Sequence, residues 1–297
     1  MMKLNSADTH SPGVHGIFHV ASPVNFSFVT FEQTIFPAVK GSENVLESAL
    51  KAGPQLASVV FTSSMGAIID PTDEPNHVFT ENHFAAAALN RAIADRDAGR
   101  STPGSIMYAA SKTAAERTVW AFRDSHKPPF AITAIHPSVV IGPPVFLPST
   151  GAEVSETILP IFNILSGIAK TIRPNIGSGS FVNVRDVAFI HSWAFEHPEV
   201  ADGERYIACE GFGPMQATAD ILRWKYRETE FAGRITVGEP GTGYVGYDAE
   251  TGEVRSVGYV PGKPRVSGEK AARAMGVRYI SYRKSVEDTA EVLQALL

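Results

Sequence analysis

Tyr108 and Lys112 stand four residues apart in the run Tyr108-Ala-Ala-Ser-Lys112. From Tyr108 to His126 there is no Gly or Pro, and most residues are good helix formers, so the spacing predicts a helix. Residues four apart on a helix share one face, which sets a phenol beside an ammonium. A free phenol has a pKa of about 10, too high for ready proton exchange near neutrality. A neighbouring ammonium stabilises the phenolate and turns the pair into a proton donor and acceptor. Tyr and Lys also fall four apart on many solvated helices, so the elements around the pair must decide between the two readings. His19 and His136 are candidate bases or metal ligands and are read as structural. His77 and His83 have no partner at metal-ligand spacing, and no metal is expected.

The elements that must position the pair read as follows. Gly16–Pro23 is a short apolar run closed by Ser-Pro, as expected for a buried parallel strand. Thr34–Ala52 predicts a helix with Val39, Val45, Leu46, Ala49 and Leu50 inward, ended by Gly53-Pro54. Val59–Thr62 is a second strand leaving through Ser63-Ser64-Met65-Gly66. A polar excursion between Asp70 and Ser105 holds an inserted helix at 84–97. After the Tyr108 helix, Ala131–Ile135 is a third strand, and the following His136-Pro-Ser-Val-Val-Ile-Gly-Pro143 turns the chain away. Strand, helix, strand, helix, strand is the grammar of a doubly wound α/β sheet, with ligands beyond the carboxyl ends of the strands, where Ser22, Ser64 and Pro137 fall. Beyond Ile141 the pattern loosens. It predicts helices at 155–169 and 187–195, the second capped by Asp186, short extended segments at 180–184, 206–208 and within 233–268, and a closing helix at 285–297. Residues 1–13 read as a disordered leader, 14–140 as a partial Rossmann-like domain, and 141–297 as mainly substrate-binding, with about 180–208 returning to the first domain.

Composition bounds the function classes. The chain of 297 residues is 44% hydrophobic and 19% charged, ordinary for a soluble enzyme. A net charge of −5 with no long run of one sign argues against nucleic-acid or anionic-membrane partners. The longest apolar run is far too short to span a bilayer, and the polar N-terminus lacks a signal-peptide core. Cys209 is the single cysteine, which excludes an internal disulfide and fits a reducing compartment. A cytoplasmic protein, monomeric or homodimeric, acting on a small molecule is the expectation.

Taken together, Phe18-His-Val-Ala-Ser-Pro23, Pro37–Gly41 with Asn44–Leu50, Phe61-Thr-Ser-Ser64, Tyr108-Ala-Ala-Ser-Lys112, His136–Pro143 and Val184-Arg-Asp-Val-Ala188 resemble the extended short-chain dehydrogenase/reductases. Within that superfamily, which includes NAD-dependent epimerases and dehydratases, the style is similar to dihydroflavonol reductases, cinnamoyl-CoA reductases and fungal aldehyde and ketone reductases. The matching stretches cover roughly residues 14–190 in order, and the tail from Ala274 is family-like too. The resemblance implies a Rossmann-like parallel sheet and NADPH- or NADH-dependent reduction of a ketone or aldehyde. It implies Tyr108 as proton donor, Lys112 as the group that lowers the phenol pKa and holds the nicotinamide ribose, and Ser64 as the hydrogen-bond donor to the substrate oxygen, with Ser63 the rival. Ala21 and Ser22 would border the diphosphate–ribose region, and the Pro137–Val140 backbone would pin the nicotinamide amide. Met65, Phe146, Phe162 and Phe181 are candidate pocket walls and equally candidate core. An epimerase or dehydratase would use the same triad in its first step.

The resemblance also implies a strand running into a Gly-x-x-Gly-x-x-Gly turn at the start of a helix, where backbone N–H groups meet the diphosphate. No such segment precedes Gly16. The literal Gly241-Thr-Gly-Tyr-Val-Gly246 follows Glu-Pro and runs into turn residues, so it fails the context required of a dinucleotide fingerprint. The expectation is therefore a sheet lacking its first part, with Gly16–Val20 as an apolar edge. It arises either from a misplaced start of the reading frame or in a shortened paralogue whose cofactor binding is impaired and whose role is non-catalytic binding.

Overall fold

The computed structural model describes residues 13–172 and 179–297, so the leader expected at 1–13 lies, save for Gly13, outside the described residues. In chain order the elements are β1 (Gly16–His19), α1 (Ile35–Lys51), β2 (Ser58–Thr62), β3 (Val78–Phe79), α2 (Ala87–Asp97), α3 (Gly104–His126), β4 (Ala131–Pro137), β5 (Val139–Ile141), α4 (Leu159–Leu165), β6 (Ser180–Asn183), α5 (Val184–Glu196), α6 (Pro198–Ala201), β7 (Arg205–Ala208), β8 (Gly211–Phe212), α7 (Met215–Lys225), β9 (Val245–Tyr247), β10 (Val254–Gly258), β11 (Arg265–Val266), α8 (Glu269–Met275) and α9 (Tyr282–Leu293). They fall into two compact units. The first holds the residues up to Asp73, Phe79–Pro137 and Ile190–Ile207; the second holds Glu74–Val78, Ser138–Phe189 and Ala208–Leu297.

The first unit is built on a four-stranded sheet in the order β1-β2-β4-β7. β1 and β2 run parallel, as do β2 and β4, with Phe18 opposite Val60 and Val60 opposite Thr133. Strands of this kind are covered on both faces, which is why β2 and β4 read as apolar runs rather than as alternation. Leu46 and Ala49 of α1, Val119 and Phe122 of α3, and Val59, Phe61, Ile132 and Ala134 of the strands form one core. Leu50, expected inward, is exposed: the buried stripe of α1 runs through Ile35, Ala38, Ser42, Leu46 and Ala49, and one further 100° step leaves it. Among the described residues β1 is the edge of this sheet, with Phe18 and Val20 exposed.

α3 begins after Pro103 and ends where Lys127 turns left-handed (φ 43°) ahead of Pro128-Pro129, a sequence that cannot continue a helix. Its buried face is not purely apolar. Lys112 and Glu116 lie on it among Met107, Ala110, Ala115, Val119 and Phe122.

The second unit has a three-stranded sheet, β5-β6-β8, parallel between β5 and β6 and antiparallel between β6 and β8, and a β9–β10 hairpin. Ile161, Leu165, Phe181, Ile221, Leu222, Val286 and Leu293 make its core with α4, α7 and α9. Three expectations are corrected here. The helix expected over 155–169 is the seven-residue α4, held short by Pro160 in its first turn and Gly167 (φ 73°) after its end. α5 starts three residues before Val187: the Asn183 side chain accepts from the Arg185 N–H, while Asp186 lies inside the first turn and accepts from the Ile280 N–H. α9 starts at Tyr282 because the Ser281 hydroxyl caps it by accepting from the Lys284 N–H. Gly241, Gly243 and Gly246 all have positive φ and lead into β9, with no helix following.

Candidate active site

β2 delivers Ser63 and Ser64 at its carboxyl end, and the two serines point to different partners. The Ser64 hydroxyl accepts from the Gly66 N–H at 3.1 Å, capping the short helical turn Met65–Ala67. Gly66 packs closely there, since a Cβ on it would lie 3.2 Å from the Ala109 Cα of α3, a tight contact. That contact brings the Ser64 hydroxyl to the phenol of Tyr108, which donates to it at 3.4 Å, a long bond. The Ser63 hydroxyl instead donates to Glu116 at 2.6 Å. Of the two serines, Ser64 is the one that faces Tyr108.

Lys112 is buried, one turn along α3 from Tyr108, and its ammonium donates to the Thr62 carbonyl at 3.0 Å. Burial pulls its pKa down to about 8, with the charge of Glu116 acting the other way. Burial also dominates at Tyr108 and holds the phenol above its ordinary value, the bond to Ser64 opposing it. The phenol is therefore protonated at neutral pH, the state a proton donor needs. His19, at the end of β1, is pushed down to about 4, first by burial and then by the Lys112 charge. Its ring packs 5.5 Å from Phe61 and contacts the Ser42 hydroxyl at 3.4 Å, the structural role read from the sequence.

An ammonium has three donors, and one is used on Thr62. The remaining two suit a pair of ribose hydroxyls, so the residues present fit the nicotinamide–ribose end of a dinucleotide. Ala21 and Ser22 lie in the loop after β1, Ala21 exposed and Ser22 half-buried. Pro137 is buried at the end of β4, whereas Val140 belongs to the second unit, half-buried in β5 opposite Val182 of β6. The candidate pocket walls divide. Met65 is buried beside Ser64, Phe162 and Phe181 are core of the second unit, and Phe146 is 91% exposed. His77 lies against Glu74, and the His83 ring accepts from the Thr80 N–H. No group of three metal-capable side chains occurs among the described residues.

Glu116 and Arg205 were not reached from the sequence. The Arg205 Nε donates to Glu116 at 2.7 Å with both side chains buried. The available signal was a carboxylate on the apolar stripe of α3, one turn past Lys112 and two past Tyr108.

The NAD-binding family model described as "Male sterility protein" matches residues 3–187. The chain is 30% identical over 300 residues to the cinnamoyl-CoA reductase CAD2 of Medicago truncatula, covering 99% of this chain and 78% of that one. It is 29% identical over 287 residues to the NADPH-dependent methylglyoxal reductase GRE2 of Saccharomyces cerevisiae, covering 95% and 77%. Among solved structures, yeast Gre2 complexed with NADPH superimposes with a TM-score of 0.79 at 24% identity, over 99% of this chain and 81% of that one. Gre2 from Candida albicans gives 0.75 at 27%, over 98% and 79%. No helix among the described residues is long and apolar enough to cross a membrane. The fold is Rossmann-like α/β, and the chain belongs to the NAD-binding male sterility protein family of the extended short-chain dehydrogenase/reductase superfamily.

Proposed function

We propose that this chain reduces the carbonyl group of a small ketone or aldehyde to an alcohol with NADPH or NADH, using Ser64, Tyr108 and Lys112. The observation that carries the reading is the convergence of two hydroxyls, Ser64 and Tyr108, at the carboxyl end of β2, with the buried Lys112 ammonium one turn away. The nicotinamide cofactor, when bound, supplies the hydride to the carbonyl carbon. The chain's own residues handle the oxygen. Ser64 hydrogen-bonds it and stabilises the negative charge that develops there. Tyr108 gives it the phenolic proton, and the phenolate left behind is stabilised by the nearby positive charge of Lys112. Lys112 holds the nicotinamide ribose with the donors not spent on Thr62. The relatives named above are described as reductases of methylglyoxal and of cinnamoyl-CoA, both carbonyl substrates, which supports reduction over epimerisation.

Turnover of a panel of aldehydes and ketones with NADPH and with NADH tests this. Activity that disappears in Tyr108→Phe supports the reading. Activity unchanged by that substitution rules out the mechanism. A non-catalytic binding protein would show neither turnover nor a saturable thermal shift with either cofactor.

A further inference from the structure

A buried charge cluster ties the carboxyl ends of β2 and β4 and the start of β7 to α3, and the reaction above leaves it unused. Its centre is Glu116, which is 2% exposed. One carboxylate oxygen accepts from the Ser63 hydroxyl at 2.6 Å and from His136 Nε2 at 2.7 Å. The other accepts from Trp120 Nε1 at 3.0 Å and from Arg205 Nε at 2.7 Å. Four donors therefore occupy the four acceptor positions of an ionised carboxylate. Burial alone would lift the pKa of Glu116, but His136, Arg205 and Ser63 together hold it well below the usual carboxylate range.

The rest of the cluster extends to the segment flanking Ser64. The Arg205 guanidinium donates to the backbone carbonyls of Glu81 and His83 and lies 3.8 Å from the centre of the Phe84 ring. Two residues after His83, the Ala85 N–H donates to the carbonyl of Ala67 in the turn that Ser64 caps. His136 Nε2 also lies 3.3 Å from the Arg205 guanidinium, so the ring is wedged between the carboxylate and the arginine. The groups facing Glu116 are then Lys112 on its own helix, His136 on β4 and Arg205 on β7. Those acting on Lys112 are Glu116, one turn away on α3, and His19 on β1.

We propose that Glu116 is a positioning residue of the reductase site: its carboxylate is the buried counter-charge of Lys112 and, through Ser63, fixes the strand end that presents Ser64 to Tyr108. The inference rests on the roles assigned above to Ser64, Tyr108 and Lys112. An amide in its place keeps the shape but removes the charge and turns an NH2 towards groups that are themselves donors, so Glu116→Gln is the informative change.

The test follows the Lys112 side chain directly, by the 13Cε shift of 13C-lysine-labelled protein across pH, with its signal identified by loss in Lys112→Met. In Glu116→Gln the Lys112 midpoint moves down by about half a pH unit or more, because an opposing charge no longer supports the ammonium. In the same variant kcat falls about tenfold or more while KM stays within about threefold, the pattern of a transition-state defect. Glu116→Asp keeps the charge, leaves the midpoint nearer the original and recovers part of kcat. Ser63→Ala leaves every charge in place, so it lowers kcat by about threefold or more without moving the midpoint. A midpoint unmoved in Glu116→Gln, or Ser63→Ala with unaltered kcat, overturns the proposal. If Glu116→Gln fails to fold, Glu116→Asp and Ser63→Ala decide it by the same criteria. If the unmodified chain reduces no carbonyl, the reductase reading fails, and the Lys112 midpoint in Glu116→Gln still decides the counter-charge on its own.

Discussion

The carbonyl oxygen of Thr62 accepts the Lys112 ammonium at 3.0 Å, two residues before Ser64 in the same strand end. The Thr62 side chain is held as well, its hydroxyl 2.8 Å from His191 Nε2. The end of β2 is thus fixed from both sides: Lys112 grips the backbone, while Ser63 reaches Glu116 and Ser64 caps the next turn. Three successive residues spend their polar groups on holding Ser64 in front of Tyr108, and the cost of burying Lys112 is part of that arrangement.

Tyr108→Phe removes the proton donor and leaves the packing of the ring against Phe26, 5.7 Å away, intact. Carbonyl reduction should fall by about 10²- to 10⁴-fold, the usual contribution of a positioned acid or base. Ser64→Ala should cost about 10²- to 10³-fold, as for loss of a donor to a developing oxyanion. Both variants should keep the cofactor-induced thermal shift of the original chain, which separates loss of chemistry from loss of binding.

The sequence made the first unit legible because its strands are buried on both faces and its helices carry strong stop signals. Ser58–Thr62 and Ala131–Pro137 stand out as apolar runs, and the Tyr108 helix as a stretch of helix formers without Gly or Pro as far as His126. That order of elements put Ser64 at a strand's carboxyl end, and its grouping with Tyr108 and Lys112 followed from the family resemblance. Glu116 did not, because a carboxylate on a helix reads as solvated unless its four partners, two of them on strands about 20 and 90 residues away, are known. In the second unit α7 went unread: Met215–Leu222 are buried all round, Gln216, Thr218 and Asp220 among them, so no apolar period marks it. Their polarity is satisfied by tertiary bonds, Asp220 accepting from the Gly241 N–H and from the Tyr244 hydroxyl.

The buried Lys112 makes stability depend on pH in a definite direction. Its folded pKa is about 8 against 10.5 for an ordinary lysine, so between those limits the unfolded chain binds more protons and stability rises with pH. Below about pH 8 the ammonium is buried at full cost. Relative to Lys112→Met, which has no charge to bury, the unmodified chain should gain on the order of 3 kcal/mol across this window. Denaturant unfolding of the two proteins at pH 7 and at pH 10.5 measures the difference. A gap independent of pH would show that Lys112 does not titrate low.

Gly104 starts α3 beneath the loop that follows β1. A Cβ there would stand 1.7 Å from the Phe26 carbonyl oxygen, a backbone atom with no soft side chain to yield. Gly104→Ala should therefore displace the Phe26 loop from the start of the helix and destabilise the chain by about 1–3 kcal/mol, as overpacking does. Because Phe26 flanks Tyr108, the same variant should lower activity beyond what its thermal shift accounts for. The control is Gly41→Ala in α1, where an added Cβ meets nothing within 4 Å and a helical Ala is favoured.

Cys209 is the single thiol, and its surroundings make it inert in the native state. It is 2% exposed, and its pKa is pushed up to about 12, chiefly by burial, with the charge of Glu210 adding to it. Its Sγ–H points to the carbonyls of Gly211 and Val266, 3.8 and 3.9 Å away. At pH 7.5 the thiolate fraction is about one in ten thousand or smaller, and the thiolate is the reactive form. The native chain should therefore remain unmodified by Ellman's reagent while one thiol per chain reacts in denaturant. At sub-denaturing urea concentrations the reaction rate should report local opening around β8 and β11, since those segments cover the sulfur. Stoichiometric reaction within seconds in buffer would contradict this packing of Cys209.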